Sequence, residues 1–211
     1  MTTDFWIFDN EIANRFQAEA ETNIPSYHTV ISKCLQFANK NLEKSDKIID
    51  VGSALGYTIS KFKNAGFTNV IGVDNSPAMI EKSVFKDIVI CSNFLPKDIY
   101  KLIIINWTLH FIANKIQYLR DVYNNLDNNG YLILSDKCCQ TDLVKDMYYD
   151  FKRNNGVSEE YIIEKEKKLI GVMQSVSIGW YLNTLQEIGF IVDVIHGDLG
   201  FVTFLCCKKS N

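Results

Sequence analysis

Lys47-Ile-Ile-Asp50-Val51, closed by Gly52-Ser-Ala-Leu-Gly56, is the stretch that decides the fold. The first five residues are short, β-rich and without polar alternation, as expected for a strand covered on both faces. A helical pattern follows through Leu55, Ile59 and Phe62. Ala65-Gly66-Phe67 ends it, with Gly66 suited to a left-handed cap. Strand, glycine loop and helix in that order open an α/β unit. The glycines stand as GxxxG rather than GxGxxG, so a dinucleotide pyrophosphate fits poorly. By itself the loop reads first as a tight strand–helix turn.

Downstream the alternation repeats. Asn69–Val73 is the next strand, and Asp74-Asn75-Ser76-Pro77 starts a helix with Pro77 in its first turn. Ile88–Cys91 and Leu102–Ile105 are further apolar runs, and a helix spans Lys115–Leu126. Asn128-Asn129-Gly130 turns the chain into a fifth strand, Tyr131–Leu134. Such alternation implies right-handed crossovers and a parallel sheet. The end differs: a helix over Ile178–Ile188 leads to Ile191–Ile195, a turn at His196-Gly197-Asp198, and Phe201–Cys206. Strands joined so closely are antiparallel. The sum is a mostly parallel seven-stranded sheet with a C-terminal antiparallel hairpin and helices on both faces. That layout resembles the class I methyltransferase (Rossmann-like) fold.

Upstream, Phe5, Phe8, Ile12 and Phe16 recur at helical spacing, as do Tyr27, Ile31, Leu35 and Ala38 after a break at Pro25. Residues 1–45 therefore read as a helical cap, and residues 141–177 as a helical, charged insertion over the site, within one domain spanning residues 1–211. The length of 211 residues suits one large α/β domain, and 47% apolar with 22% charged content excludes disorder. A net charge of −3 gives no basic field, so direct DNA binding is not expected. No apolar run reaches the roughly 18 residues of a membrane span. Met1-Thr2-Thr3-Asp4 lacks a basic leader. The six cysteines include no CxxC pair, so no zinc or other metal site and no disulfide frame is indicated. A reduced, cytoplasmic setting follows as the expectation.

Open α/β sheets bind ligands outside the carboxyl ends of their strands, near the reversal in strand order. At the first such end, Gly52 lets the backbone approach a ligand, and Gly56 opens a helix whose amides favour a carboxylate. Asp74, about twenty residues beyond Gly52, can accept both hydroxyls of a ribose. It also reads as an N-cap ahead of Pro77, and the two roles are compatible. Together these ends point to an adenosine ligand. Ser92-Asn93-Phe94 offers a polar group and a ring for the adenine, and Asn106-Trp107-Thr108 places an amide at the ligand's reactive end. Asn106 is not followed by Pro-Pro and an aromatic, so the signature of DNA amino-methylation is missing. His110 reads either as a base or as a structural histidine; His28 and His196 read as surface groups. Cys138-Cys139 reads as small core residues. Trp6, Phe8 and Tyr27 either roof the ligand or belong to the core, and Glu164-Lys-Glu-Lys-Lys168 reads as a solvated helix face.

Asp74-Asn-Ser-Pro-Ala-Met-Ile-Glu81 and Asp150-Phe-Lys-Arg153, with Asn155-Gly156 and Ser158-Glu159, resemble the bacterial carboxy-S-adenosyl-L-methionine (carboxy-SAM) synthase (CmoA) family. Phe8-Asp9, Ile24-Pro25-x-Tyr27, Asn106-x-Thr108-Leu109 and Val172-Met173 are weaker echoes, and the likeness runs from Trp6 to Phe204. These are class I methyltransferases that prepare the donor for wobble-uridine modification of tRNA. The resemblance implies S-adenosyl-L-methionine (SAM) contacts from Tyr27, Gly52, Ser53, Ala54, Asp74, Asn75, Asn93, Phe94 and Asn106. It also implies a homodimer, since in the family a partner subunit's arginine meets the extra carboxylate of carboxy-SAM. An ungapped match puts Glu166 at that arginine's position. Two carboxylates about 4 Å apart repel by roughly 4 kcal/mol at an effective dielectric near 20. The glycine loop departs too, reading Gly-Ser-Ala-Leu-Gly where the family has Gly-Cys-Ser-Leu-Gly.

We read the chain as a SAM-dependent methyltransferase acting on a small acceptor. The alternative is a carboxy-SAM synthase that converts SAM and prephenate to carboxy-SAM. A second alternative is a SAM-binding protein without turnover. Methyl transfer rests largely on holding acceptor and sulfonium in line, so no catalytic base is named from sequence.

Overall fold

The computed structural model describes residues 6–209, so the readings made at Met1–Asp4 and Phe5 lie outside it. Among the described residues seven strands form one sheet: β1 (Ile48–Val51), β2 (Val70–Asp74), β3 (Val89–Cys91), β4 (Tyr100–Asn106), β5 (Leu126–Lys137), β6 (Phe190–Asp198) and β7 (Phe201–Lys208). Their order is β3-β2-β1-β4-β5-β7-β6. The first five pair in parallel, and β7 runs antiparallel to both β5 and β6. The order reverses between β1 and β4, which puts their carboxyl ends side by side at the position where such sheets bind ligands.

Eight helices accompany the sheet among the described residues: α1 (Asn10–Asn23), α2 (Tyr27–Asn41), α3 (Tyr57–Asn64), α4 (Pro77–Lys82), α5 (Lys115–Asn124), α6 (Asp142–Asn154), α7 (Glu159–Leu169) and α8 (Ile178–Ile188). One apolar core joins β1, β4, β5 and β7 to α5 and α8, with Ile103, Ile105, Leu119 and Phe204 fully enclosed. On the other face Ile48, Ile104 and Ile133 pack against Cys34, Ala38 and Phe62 of α2 and α3. β1 and β4 are thus sealed on both sides, which explains their unbroken apolar sequence.

Gly66 (φ 90°) caps α3 as its sequence predicts, with Phe67 N–H reaching Phe62 O at 3.1 Å. Two expected turns fall elsewhere. His196-Gly197-Asp198 lies inside β6, and the hairpin closes at Leu199-Gly200, both at positive φ (46° and 83°). A two-residue turn of that kind matches the strand twist. Asn128-Asn129-Gly130 stays within β5 as an irregularity where the register against Tyr100 and Leu102 shifts.

Candidate active site

The ends of β1, β2, β4 and β5 open on one cleft of about 760 Å³, walled also by α1, α6 and α7. Its floor is the loop after β1. Gly52 (φ 69°) donates to Val73 O at 2.8 Å, and a Cβ there would meet Thr108 Oγ1 at 2.1 Å. Only glycine satisfies both the backbone angle and the approach of Thr108, just beyond β4. Ala54, also at positive φ (46°), donates its N–H to Asp74 Oδ2 at 2.8 Å. Asp74 Oδ1 accepts from Ser76 N at 2.8 Å. Each carboxylate oxygen keeps a second lone pair for a ligand. The N-cap of α4 is Ser76, whose Oγ accepts from Met79 N at 3.2 Å. The capping role read for Asp74 therefore belongs to Ser76. Gly56 (φ 83°) sets the turn into α3 and stands outside the cleft wall.

Asp50 is buried at the end of β1. Desolvation, with Asp74 as the second cause, pushes its carboxyl up to about 8. Burial also raises Asp74, against the opposing pull of the Ser76 and Ala54 amides.

Asn75 and Asn93 both line the cleft and are joined Nδ2 to Oδ1 at 2.9 Å. Phe94 is not with them. It is 75% exposed and outside the cleft wall, because Ser92 Oγ accepts Phe94 N at 2.9 Å and turns the chain outward. Asn106 is buried, and among the described residues its Oδ1 has no hydrogen-bond partner; Ser53 Oγ, packed where a Gly72 Cβ would meet it at 2.6 Å, has none there either. Unpaired buried polar atoms cost roughly 1–3 kcal/mol each, which a polar ligand would relieve. These residues therefore fit SAM. Tyr27 stacks on Trp107 at 5.0 Å, and Trp6 and Phe8 join them in the wall.

The far wall departs from the sequence reading. Lys165, expected on a solvated face, lines the cleft together with Glu166, the residue that the resemblance sets at the arginine's position. Glu19 of α1 holds α7 there, accepting from Tyr161 OH at 2.6 Å and from Lys165 Nζ at 2.7 Å. Burial works against the Glu19 carboxylate, yet Lys165, Tyr161 and Arg15 together keep that group below its usual range. Glu166 pairs with Lys145 of α6. That ammonium offsets part of the charge that Glu166 would set against a ligand carboxylate.

Two more lysines stand in the same wall, and sequence reasoning missed both. Lys137 at the end of β5 and Lys152 of α6 place their ammoniums 4.6 and 4.4 Å from the Tyr148 ring centre. Neither forms an ion pair within 4 Å among the described residues. Desolvation lowers Lys137 to about 8 and Lys152 to about 7. Lys152 lies within Asp150–Arg153, a stretch that the resemblance marks without giving its cation a role.

The remaining candidates separate cleanly. His28 is exposed beside Glu21 at 3.3 Å, Cys138 is core, and Cys139 is exposed. His110 lines the cleft. Among the described residues no group of three or more His, Cys, Asp or Glu side chains could hold a metal, and no helix is long and apolar enough to cross a membrane.

Residues 24–183 match the family model described as a methyltransferase domain. A carboxy-SAM synthase of Yersinia pestis (strain Pestoides F) is 32% identical, over 94% of this chain and 81% of its own length. Among solved structures, a SAM-dependent methyltransferase from Archaeoglobus fulgidus superposes with a TM-score of 0.65 at 13% identity, over 92% of this chain and 99% of that one. The plantazolicin methyltransferase BpumL, solved with S-adenosylhomocysteine (SAH), gives 0.68 at 14% identity, over 95% and 90%. At those identities the two structures speak for the fold.

Proposed function

The chain belongs to the methyltransferase-domain family and, within it, to the carboxy-SAM synthases, and on that premise we propose that it moves the methyl group of SAM onto a small acceptor held in the cleft beneath α7. It is a SAM-dependent transferase. When bound, SAM supplies an electrophilic methyl group on a sulfonium.

The observation that carries this reading is the Asp74 carboxylate, fixed beside the Gly52 loop with lone pairs to spare. Those lone pairs take the ribose hydroxyls, and Asn75 with Asn93 faces the adenine. Asn106 offers its unpaired Oδ1 to the ligand's amino-acid end. Tyr27, Trp6 and Phe8 exclude water from above. The cleft has the volume of a nucleoside together with a small molecule. We also propose a homodimer working in the cytoplasm, on the strength of the family resemblance; sedimentation as a monomer contradicts the dimer.

Carboxy-SAM synthesis is the second reading. It is supported by the name of the Yersinia relative and by Lys137, Lys145 and Lys152 around Glu166. Titrating SAM and carboxy-SAM into the protein separates the two. Tighter SAM binding supports methyl transfer. Tighter carboxy-SAM binding reverses the order of the two readings.

A further inference from the structure

We propose that His110 is the catalytic base for an acceptor that must shed a proton, with Asp136 and Tyr181 as its positioning residues. This rests on the methyl-transfer reading and deepens it by naming the acceptor class: a small protic nucleophile, O–H or N–H. His110 sits in the 3₁₀ turn Leu109–Phe111 directly after β4, and its ring stands in the cleft wall. Its Nδ1 is hydrogen-bonded to Asp136 Oδ1. Asp136, fully buried on β5, accepts the Tyr181 hydroxyl of α8 on its other oxygen. Parallel pairing of β4 with β5, which sets Asn106 opposite Ser135, brings this trio together from three separate elements.

The hydrogen-bond partner assigns the tautomer. A carboxylate only accepts, so Nδ1 carries the proton and Nε2 of the neutral ring keeps a lone pair. Nε2 makes no hydrogen bond among the described residues. A purely structural histidine is usually satisfied at both nitrogens; this one is satisfied at the nitrogen facing the core. The arrangement is that of a base oriented by a buried carboxylate.

In the step, Nε2 takes the proton of the acceptor's O–H or N–H. The electron pair so released forms the bond to the methyl carbon. The pair of the breaking C–S bond stays on sulfur, which becomes a neutral thioether. One positive charge thereby passes from the sulfonium to an imidazolium beside Asp136, and solvent takes the proton after the products leave.

The test is nitrogen NMR of histidine-labelled whole protein under mildly alkaline conditions, saturated first with SAH and then with sinefungin, which carries an amine in place of the methyl-sulfonium. His110→Gln assigns the signal; if that variant does not fold, His28→Gln and His196→Gln assign it by elimination, since the chain has three histidines. The expected result is a proton on Nδ1 and a bare Nε2 whose resonance moves between the two ligands. Asp136→Asn should transfer the proton to Nε2. A proton on Nε2 in the native protein, or a resonance indifferent to the exchange of ligands, overturns the assignment. Calorimetry on the same samples keeps the two levels apart: failure to bind SAH refutes the methyl-transfer reading itself, whereas SAH binding with an indifferent Nε2 refutes only the base.

Discussion

The Asp74 carboxylate accepts the Ala54 N–H at 2.8 Å, so the end of β2 holds the loop after β1 in its left-handed turn. One side chain therefore shapes the floor of the cleft and offers it two lone pairs. Substitution there should affect both fold and ligand.

Asp74→Ala removes two ribose acceptors and two amide partners. Charge-assisted hydrogen bonds are worth about 1.5–3 kcal/mol each, so SAM affinity should fall at least tenfold. The ligand-free protein should also lose stability, by about 1–3 kcal/mol, because two buried amides are left unpaired. Asp74→Asn, which keeps one acceptor, should fall between. Calorimetric titration with thermal melting reads both effects; unchanged affinity in a destabilised protein would leave Asp74 a structural staple only.

Gly52→Ala forces a Cβ against Thr108 Oγ1 and retains a positive φ. A strained backbone of this kind costs about 1–3 kcal/mol before any shift of β4. Chemical denaturation should report a loss of that size with weakened SAM binding. Partial recovery of stability in Gly52→Ala with Thr108→Ala, which removes Oγ1 and leaves only the backbone strain, would locate the clash at that side chain.

Glu19 fastens α7 through Tyr161 and Lys165. Glu19→Ala should leave the sheet intact and loosen the wall. Hydrogen exchange should accelerate in α7 by tenfold or more while β4 and β5 stay protected. Equal acceleration in α7 and in the sheet would mean that Glu19 supports the fold as a whole.

Lys152 at about 7 and Lys137 at about 8 hold fewer protons folded than unfolded, where lysine titrates near 10.4. Their contribution to stability therefore rises with pH from about 7 to about 10. An anion bound between them would restore their charge and take up protons. Affinity for carboxy-SAM relative to SAM should accordingly fall as pH rises from about 6 to about 9, and Lys152→Met should flatten that slope. A native slope that Lys152→Met leaves unchanged would exclude this lysine from the ligand's neighbourhood.

The sheet was legible because burial on both faces imposes a pattern: Ile48–Val51 and Leu102–Ile105 cannot be read as amphipathic. Gly52 and Asp74 were legible for a related reason, since loop geometry and spacing along consecutive strands are local. The lysines were not. Lys152 and Lys165 lie on helices whose charges look solvated until α6 and α7 fold across the cleft. His110 and Asp136 belong to different strand ends, and only the β4–β5 register joins them. Phe94 failed in the opposite sense, because a local hydrogen bond to Ser92 turned a plausible ring outward.

Titration of SAM into the native protein decides whether the cleft is a nucleoside site. Binding should saturate at one SAM per chain and raise the melting temperature, with SAH competing for the same site. Absence of heat and of any thermal shift at saturating SAM would contradict that assignment, because the Gly52 loop and Asp74 would then have no adenosine ligand to hold.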